Sequence, residues 1–88
     1  MRNMEFTEAE LNRLRWRSRR GMLELDLLLL PWFDEVFRQA TDEDQQAFVL
    51  LLDQEDPEMH EWFNQRQEPE DPELNRIVKK ILDRVQPE

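Results

Sequence analysis

A single glycine is the sequence feature that most restricts how this chain can fold. Gly21 is the only glycine among 88 residues, and no segment alternates β-branched and polar residues as a half-buried strand would. The five prolines stand where helices are expected to start, bend or stop. The sequence therefore predicts an all-α fold.

Capping signals and apolar stripes divide the chain into five helices. The first opens with a capping box, in which Thr7 and Glu10 satisfy each other's backbone amides. The second is apolar on most sides, as expected of a central helix, and a bend is predicted at Pro31. A chain of this length suffices for one domain, so residues 1–88 are predicted to form a small compact five-helix bundle. The predicted helices span roughly residues 7–18, 21–39, 42–54, 57–65 and 72–85.

The charge is distributed unevenly along the chain. The net charge is −9, yet residues 1–20 hold six arginines against three glutamates, and the remainder holds six basic against eighteen acidic residues. At about 100° per residue one group of arginines points one way and a second group points nearly opposite. The first group is Arg13, Arg17 and Arg20, and the second is Arg15 and Arg19. The arginines thus form a dispersed collar, which together with the net negative charge argues against a nucleic-acid partner.

The side-chain inventory argues against catalysis by the chain itself. Cysteine and tyrosine are absent, the only serine, Ser18, lies among arginines, and His60 is predicted at a half-exposed surface position. Most carboxylates stand in caps and first turns, where they favour the helix dipole. We therefore predict that the protein is not an enzyme and that it has no catalytic, metal-binding or cofactor-binding residues.

The chain also lacks the features of an exported or membrane protein. Its first nine residues contain no apolar h-region, and it has no cysteine for disulfides. The longest apolar run, residues 27–33, is interrupted by Pro31 and is far shorter than the roughly 20 residues of a membrane span. We expect a cytoplasmic protein that does not insert into membranes.

The junction around Gly21 is the most unusual segment. If the helical path continued through it, Arg20 and Glu24 would be one turn apart and would flank Gly21 as the rim of a shallow notch. The missing side chain would then let another backbone approach closely. Asp26 falls at the edge of the buried stripe and is expected to pair with an arginine or to cap a neighbouring helix.

Trp16 lies outside the apolar stripe of its own helix. It projects about 140° from Leu11 and Leu14 when residues are plotted at about 100° each. A large aromatic side chain in that position either packs against another element or is offered to a partner, through dimerisation or client binding. The sequence leaves these alternatives open.

Residues 19–26 resemble the hallmark segment of the SdhE-type flavinylation factors, the assembly factors of succinate dehydrogenase. Their Arg-Gly-x-x-Glu pattern is matched by Arg20, Gly21 and Glu24. The upstream Trp16, the proline-tryptophan-phenylalanine bend at residues 31–33 and the segment of residues 56–62 are also similar, so the resemblance covers nearly the whole chain.

The resemblance implies a five-helix bundle that binds the flavoprotein subunit of succinate dehydrogenase, and of the related fumarate reductase. Members promote covalent attachment of FAD to a histidine of that subunit, so the chemistry belongs to the client and no stably bound cofactor is expected here. The chain is expected to be monomeric when free. The residues assigned to partner binding are Trp16, Arg19, Arg20, Gly21, Glu24 and Asp26.

A second function remains open at this point. Some proteins of this kind have been described as the antitoxin of a toxin–antitoxin pair that acts on the cytoskeleton. That alternative also makes the chain a binder, but of a different client. Recovery of a large FAD-containing subunit in a pull-down would favour the flavinylation factor.

Overall fold

The computed structural model describes residues 6–85, and this part of the chain contains five α-helices and no strand. The prediction of a small all-α bundle is confirmed. The helices are α1 Glu8–Ser18, α2 Leu23–Glu35, α3 Asp42–Leu52, α4 Asp56–Phe63 and α5 Pro72–Val85, with a 3₁₀ turn at Phe37–Gln39 between α2 and α3.

Helix α2 is shorter at both ends than the predicted range 21–39. It starts late because Gly21 has a φ of +82° and Met22 is extended, so the helical path is interrupted between α1 and α2. It ends at Glu35 because the chain then tightens into the 3₁₀ turn. Helix α4 ends at Phe63, two residues early, and Gln65 beyond it has a φ of 62°.

Threonine side chains cap the N-termini of α1 and α3. Glu10 N–H donates to Thr7 Oγ1 over 3.1 Å, and Thr7 N–H donates to Glu10 Oε1 over 2.8 Å, which completes the capping box of α1. Thr41 caps α3 by accepting the amide hydrogen of Asp44 over 3.2 Å.

The core is built around the inner face of α2. Leu25 and Leu29 are fully buried there, and the Trp32 ring stacks on Phe48 of α3 with centroids 4.9 Å apart. The rings of Phe33 and Phe37 stack at the same separation, which joins the end of α2 to the 3₁₀ turn. Helix α2 contacts α1, α4 and α5, so it is the central helix of the bundle.

A buried carboxylate ties α3 to α5. Asp44, only 10% exposed at its side chain, accepts hydrogen bonds from Lys80 Nζ over 2.7 Å and from Arg76 Nη2 over 3.2 Å. Two cations therefore compensate the cost of burying this charge.

Candidate functional site

The turn between α1 and α2 is set by backbone conformation. Helix α1 ends at Ser18, whose buried hydroxyl donates to the Leu14 carbonyl over 2.9 Å. Arg19 is extended, and Gly21 then adopts the left-handed region that side chains other than glycine rarely occupy. A Cβ built on Gly21 would meet nothing within 4 Å. The glycine is therefore required by its φ angle and not by crowding within the fold.

Arg20 points inward from this turn, which corrects the predicted notch. Its Nε donates to Asp56 Oδ1 over 2.7 Å, and its terminal nitrogens donate to the carbonyls of Arg17, Leu52 and Gln54 over 2.8–3.0 Å. The side chain is 15% exposed. The prediction that Arg20 rims a surface notch was wrong, because it assumed a helix running continuously through Gly21.

Asp26, in the first turn of α2, is hydrogen-bonded to the same turn between α1 and α2. Its Oδ1 accepts the backbone amide hydrogen of Arg20 over 2.7 Å. This bond is to the main chain of Arg20, whose guanidinium bonds elsewhere, so it is not the arginine pair that the sequence led us to expect. Asp26 therefore fastens the turn to the first residues of α2.

Glu24 is on the solvent side of α2 and contacts α4. Its Oε1 lies 2.7 Å from Nε2 of His60, and its side chain is 68% exposed. Asn64 Nδ2 donates to the His60 carbonyl over 2.9 Å and lies 3.2 Å from the His60 ring nitrogens. Sequence reasoning placed His60 near the surface and assigned it no partner, because 36 residues separate it from Glu24.

Large apolar side chains are also exposed on α1 and α2. Trp16 is 70%, Leu23 71% and Leu27 61% exposed. The structure thus decides between the two alternatives for Trp16: within the described part of the chain its ring is offered to solvent and is not packed into the bundle. Three large exposed hydrophobic side chains on one small domain are typical of a surface that receives a partner.

The helical spacing on α2 and one ion pair to α1 indicate that these side chains share one side of the molecule. At about 100° per residue, Leu23, Leu27 and Asp34 point within about 40° of one another on α2. Asp34 pairs with Arg15 of α1, with Nε to Oδ1 at 2.8 Å, so that this side of α2 adjoins the side of α1 that carries Arg15. Trp16 follows Arg15 directly, and both line a shallow groove with Asn12 and Arg19. We call the set Trp16, Arg19, Leu23, Glu24 and Leu27 the docking face.

The charges on the docking face are of both signs. The Arg19 guanidinium has no ion-pair partner among residues 6–85, and it lies toward α1, whereas the Glu24 carboxylate lies toward α4. At the edge of the face, the hydrogen bond from Arg15 lowers the pKa of the Asp34 carboxyl, and the same bond raises the pKa of Arg15. An apolar centre flanked by charged groups matches the anatomy of protein–protein interfaces.

The described residues offer little for chemistry of their own. No group of three His, Cys, Asp or Glu side chains within residues 6–85 is arranged to hold a metal ion. The Ser18 hydroxyl is buried and already bonded to a carbonyl, so it is not placed as a nucleophile. None of the helices in the same part of the chain is long and apolar enough to cross a membrane.

Comparison with known proteins gives consistent matches over most of the chain. The Sdh5 family model, described as flavinator of succinate dehydrogenase, matches residues 12–85. The protein named FAD assembly factor SdhE in Pseudomonas aeruginosa is 58% identical over 81 residues, which cover 92% of this chain and 96% of the relative. Proteins of the same name in Pseudomonas putida and Shewanella oneidensis are 56% and 47% identical, over 91% and 85% of this chain and 95% and 92% of those relatives.

Proposed function

This chain belongs to the Sdh5 family, the flavinators of succinate dehydrogenase, and we propose that it is an FAD assembly factor for that enzyme. In this proposal it binds the flavoprotein subunit and promotes covalent attachment of FAD to a histidine of that client. The flavoprotein subunit of fumarate reductase is a second proposed client. The names of the matched relatives give no support to the antitoxin alternative.

One observation carries the proposal at the level of residues: the exposed apolar ridge of the docking face lies directly beside the turn that holds Gly21. Leu23 and Leu27 lie in the first five residues of α2, which follows the turn, and Trp16 lies in the last three residues of α1, which precedes it. Burying such side chains against a client would contribute roughly 1.5–3 kcal/mol each. This supports client binding as the role of the segment.

The side chains of the docking face suit a factor that orients its client and leaves the chemistry to that client. The docking face supplies apolar area, a cation at Arg19 and a carboxylate at Glu24, all suited to hold a client in one orientation. Holding two client domains in a productive orientation accelerates a reaction without any group transfer by the factor. FAD, its histidine acceptor and the bond between them belong to the client in this proposal, and the factor is monomeric when free so that its face is open.

In-gel flavin fluorescence tests the proposal. The client subunit is expressed in cells that lack all such factors, with and without this chain, and covalently bound flavin is read from the denatured client band. We expect strong fluorescence only when the chain is present. Equal fluorescence in both cells would refute the function, and flavin turnover by the purified chain without client would refute its assignment as a binding factor.

A further inference from the structure

Arg20 connects three separate pieces of the chain through one guanidinium. Its terminal nitrogens bond the carbonyls of Leu52, at the end of α3, and of Gln54, in the loop that follows. Its Nε bonds Asp56, the first residue of α4. Carbonyls at a helix end have no partner within the helix, so Arg20 satisfies groups that the fold would otherwise leave to water.

The main chain of Arg20 is tied to a fourth element. Its amide hydrogen is held by Asp26 in the first turn of α2, two residues beyond Glu24. His60 lies one helical turn after Asp56 on α4. Arg20 therefore links α2 and α4 close to the point where Glu24 meets His60.

We propose that Arg20 is a positioning residue for client binding, which acts by fixing α4 against the α1–α2 turn so that Glu24 is held in place on the docking face. All but one of the guanidinium's N–H donors are already bonded, so Arg20 has little capacity left for a client carboxylate. This inference rests on the proposed function, and it replaces a direct contact of Arg20 with the client.

A double-mutant cycle on the full chain distinguishes positioning from contact. Binding of the purified client flavoprotein subunit is measured for wild type, Arg20→Lys, Glu24→Ala and the double variant. Lysine keeps the charge but cannot reproduce the planar fork that spans Asp56 and the carbonyls. We expect Arg20→Lys to weaken binding about tenfold alone and less than about twofold in the Glu24→Ala background, because coupled residues are non-additive. The same tenfold loss in both backgrounds would overturn the proposal.

Two isosteric variants separate positioning from loss of stability. Asp56→Asn removes the charged acceptor of Arg20, whereas Asp44→Asn breaks a buried ion pair at the α3–α5 contact, away from the turn. Binding is measured at a temperature where circular dichroism shows both variants folded. We expect Asp56→Asn to weaken client binding about as much as Arg20→Lys, and Asp44→Asn to leave it within about twofold.

These measurements distinguish failure of the positioning role of Arg20 from failure of the proposed function. If wild type neither binds the client nor raises its flavin content, the function itself is wrong. If wild type binds and Asp56→Asn binds equally well, or if Asp44→Asn loses as much as Asp56→Asn, only the positioning role of Arg20 is wrong.

Discussion

Glu24 Oε1 lies 2.7 Å from His60 Nε2, so the first turn of α2 is joined to the middle of α4 across the surface of the bundle. The pair restrains the Glu24 side chain without burying it, since 68% of that side chain stays exposed. A contact group held in one conformation before binding loses less entropy when a client arrives. In the proposed function, the pair would therefore hold the Glu24 carboxylate ready for the client.

Gly21→Arg is expected to abolish client binding and flavinylation while the bundle still folds. The φ of +82° makes any side chain at this position unfavourable by about 1–2 kcal/mol, and a long cation would project from the turn beside the docking face. Nothing within 4 Å of the added Cβ forces the helices apart. Circular dichroism measures folding, and in-gel flavin fluorescence of the client measures function.

Gly21→Ala is the matched control for that variant. It carries the same backbone penalty without the long cation, so we expect it to retain most client flavinylation. Equal loss in both variants would show that backbone strain alone is responsible. Unchanged covalent flavin in cells that contain only Gly21→Arg would contradict the placement of the docking face at this turn.

Trp16→Ala should weaken client binding by at least about tenfold, as expected when an exposed aromatic anchor is removed from an interface. Because Trp16 is 70% exposed, its loss should change the free energy of unfolding by no more than about 0.5 kcal/mol. Isothermal titration calorimetry with the purified client measures the first effect, and urea unfolding the second. Val85→Ala, at an exposed apolar residue near the end of α5, should change neither. If the two variants bind equally, Trp16 is not an anchor.

Local sequence patterns were sufficient for the helices but not for the contacts between them. The capping box of Thr7 and Glu10 was predictable because both groups lie within one helical turn. The direction of Arg20 was not, because its guanidinium partners Leu52, Gln54 and Asp56 are 32, 34 and 36 residues away. The helical wheel also assumed a straight path through Gly21. A glycine that ends a helix and a glycine inside one look alike in sequence until φ is known.

The exposure of the docking face also could not be predicted from local sequence patterns. Trp16 stood out in the sequence because it lies outside the stripe of α1, yet the sequence left open whether another helix covers it. The second helix was described only as apolar on most sides, and the structure leaves its Leu23 and Leu27 uncovered. Which face of a central helix stays open depends on where its neighbours pack, and that follows from long-range contacts such as Arg15–Asp34 and Glu24–His60.

Asp44→Asn should lower the free energy of unfolding by about 1–3 kcal/mol, the range for losing charge-assisted hydrogen bonds at a buried group. The variant keeps the shape of the side chain but leaves Arg76 and Lys80 without their shared carboxylate. Urea unfolding followed by tryptophan fluorescence gives the value. Asp83→Asn, at an exposed residue of α5, should change it by less than about 0.5 kcal/mol. A loss no larger for Asp44→Asn than for Asp83→Asn would mean that the ion pairs contribute nothing net.

Acid should remove the stabilisation that Asp34 provides beside the docking face. The hydrogen bond from Arg15 lowers the pKa of Asp34 in the folded chain, burial opposes that shift, and the charge of Arg15 adds to it. Because the folded pKa is below the unfolded value of about 3.9, the contribution is fully present at higher pH and is lost as pH falls through the folded pKa. Arg15 stays charged throughout, since its pKa is raised.

The measurement is the difference in free energy of unfolding between wild type and Asp34→Asn across a pH series. We expect wild type to be slightly more stable above about pH 5, since exposed ion pairs contribute little, and the difference to shrink below about pH 4. Molar salt should reduce it at every pH, since screening weakens exposed ion pairs. A difference that grows on acidification would contradict the lowered pKa of Asp34, and one unaffected by salt would contradict an exposed ion pair as its source.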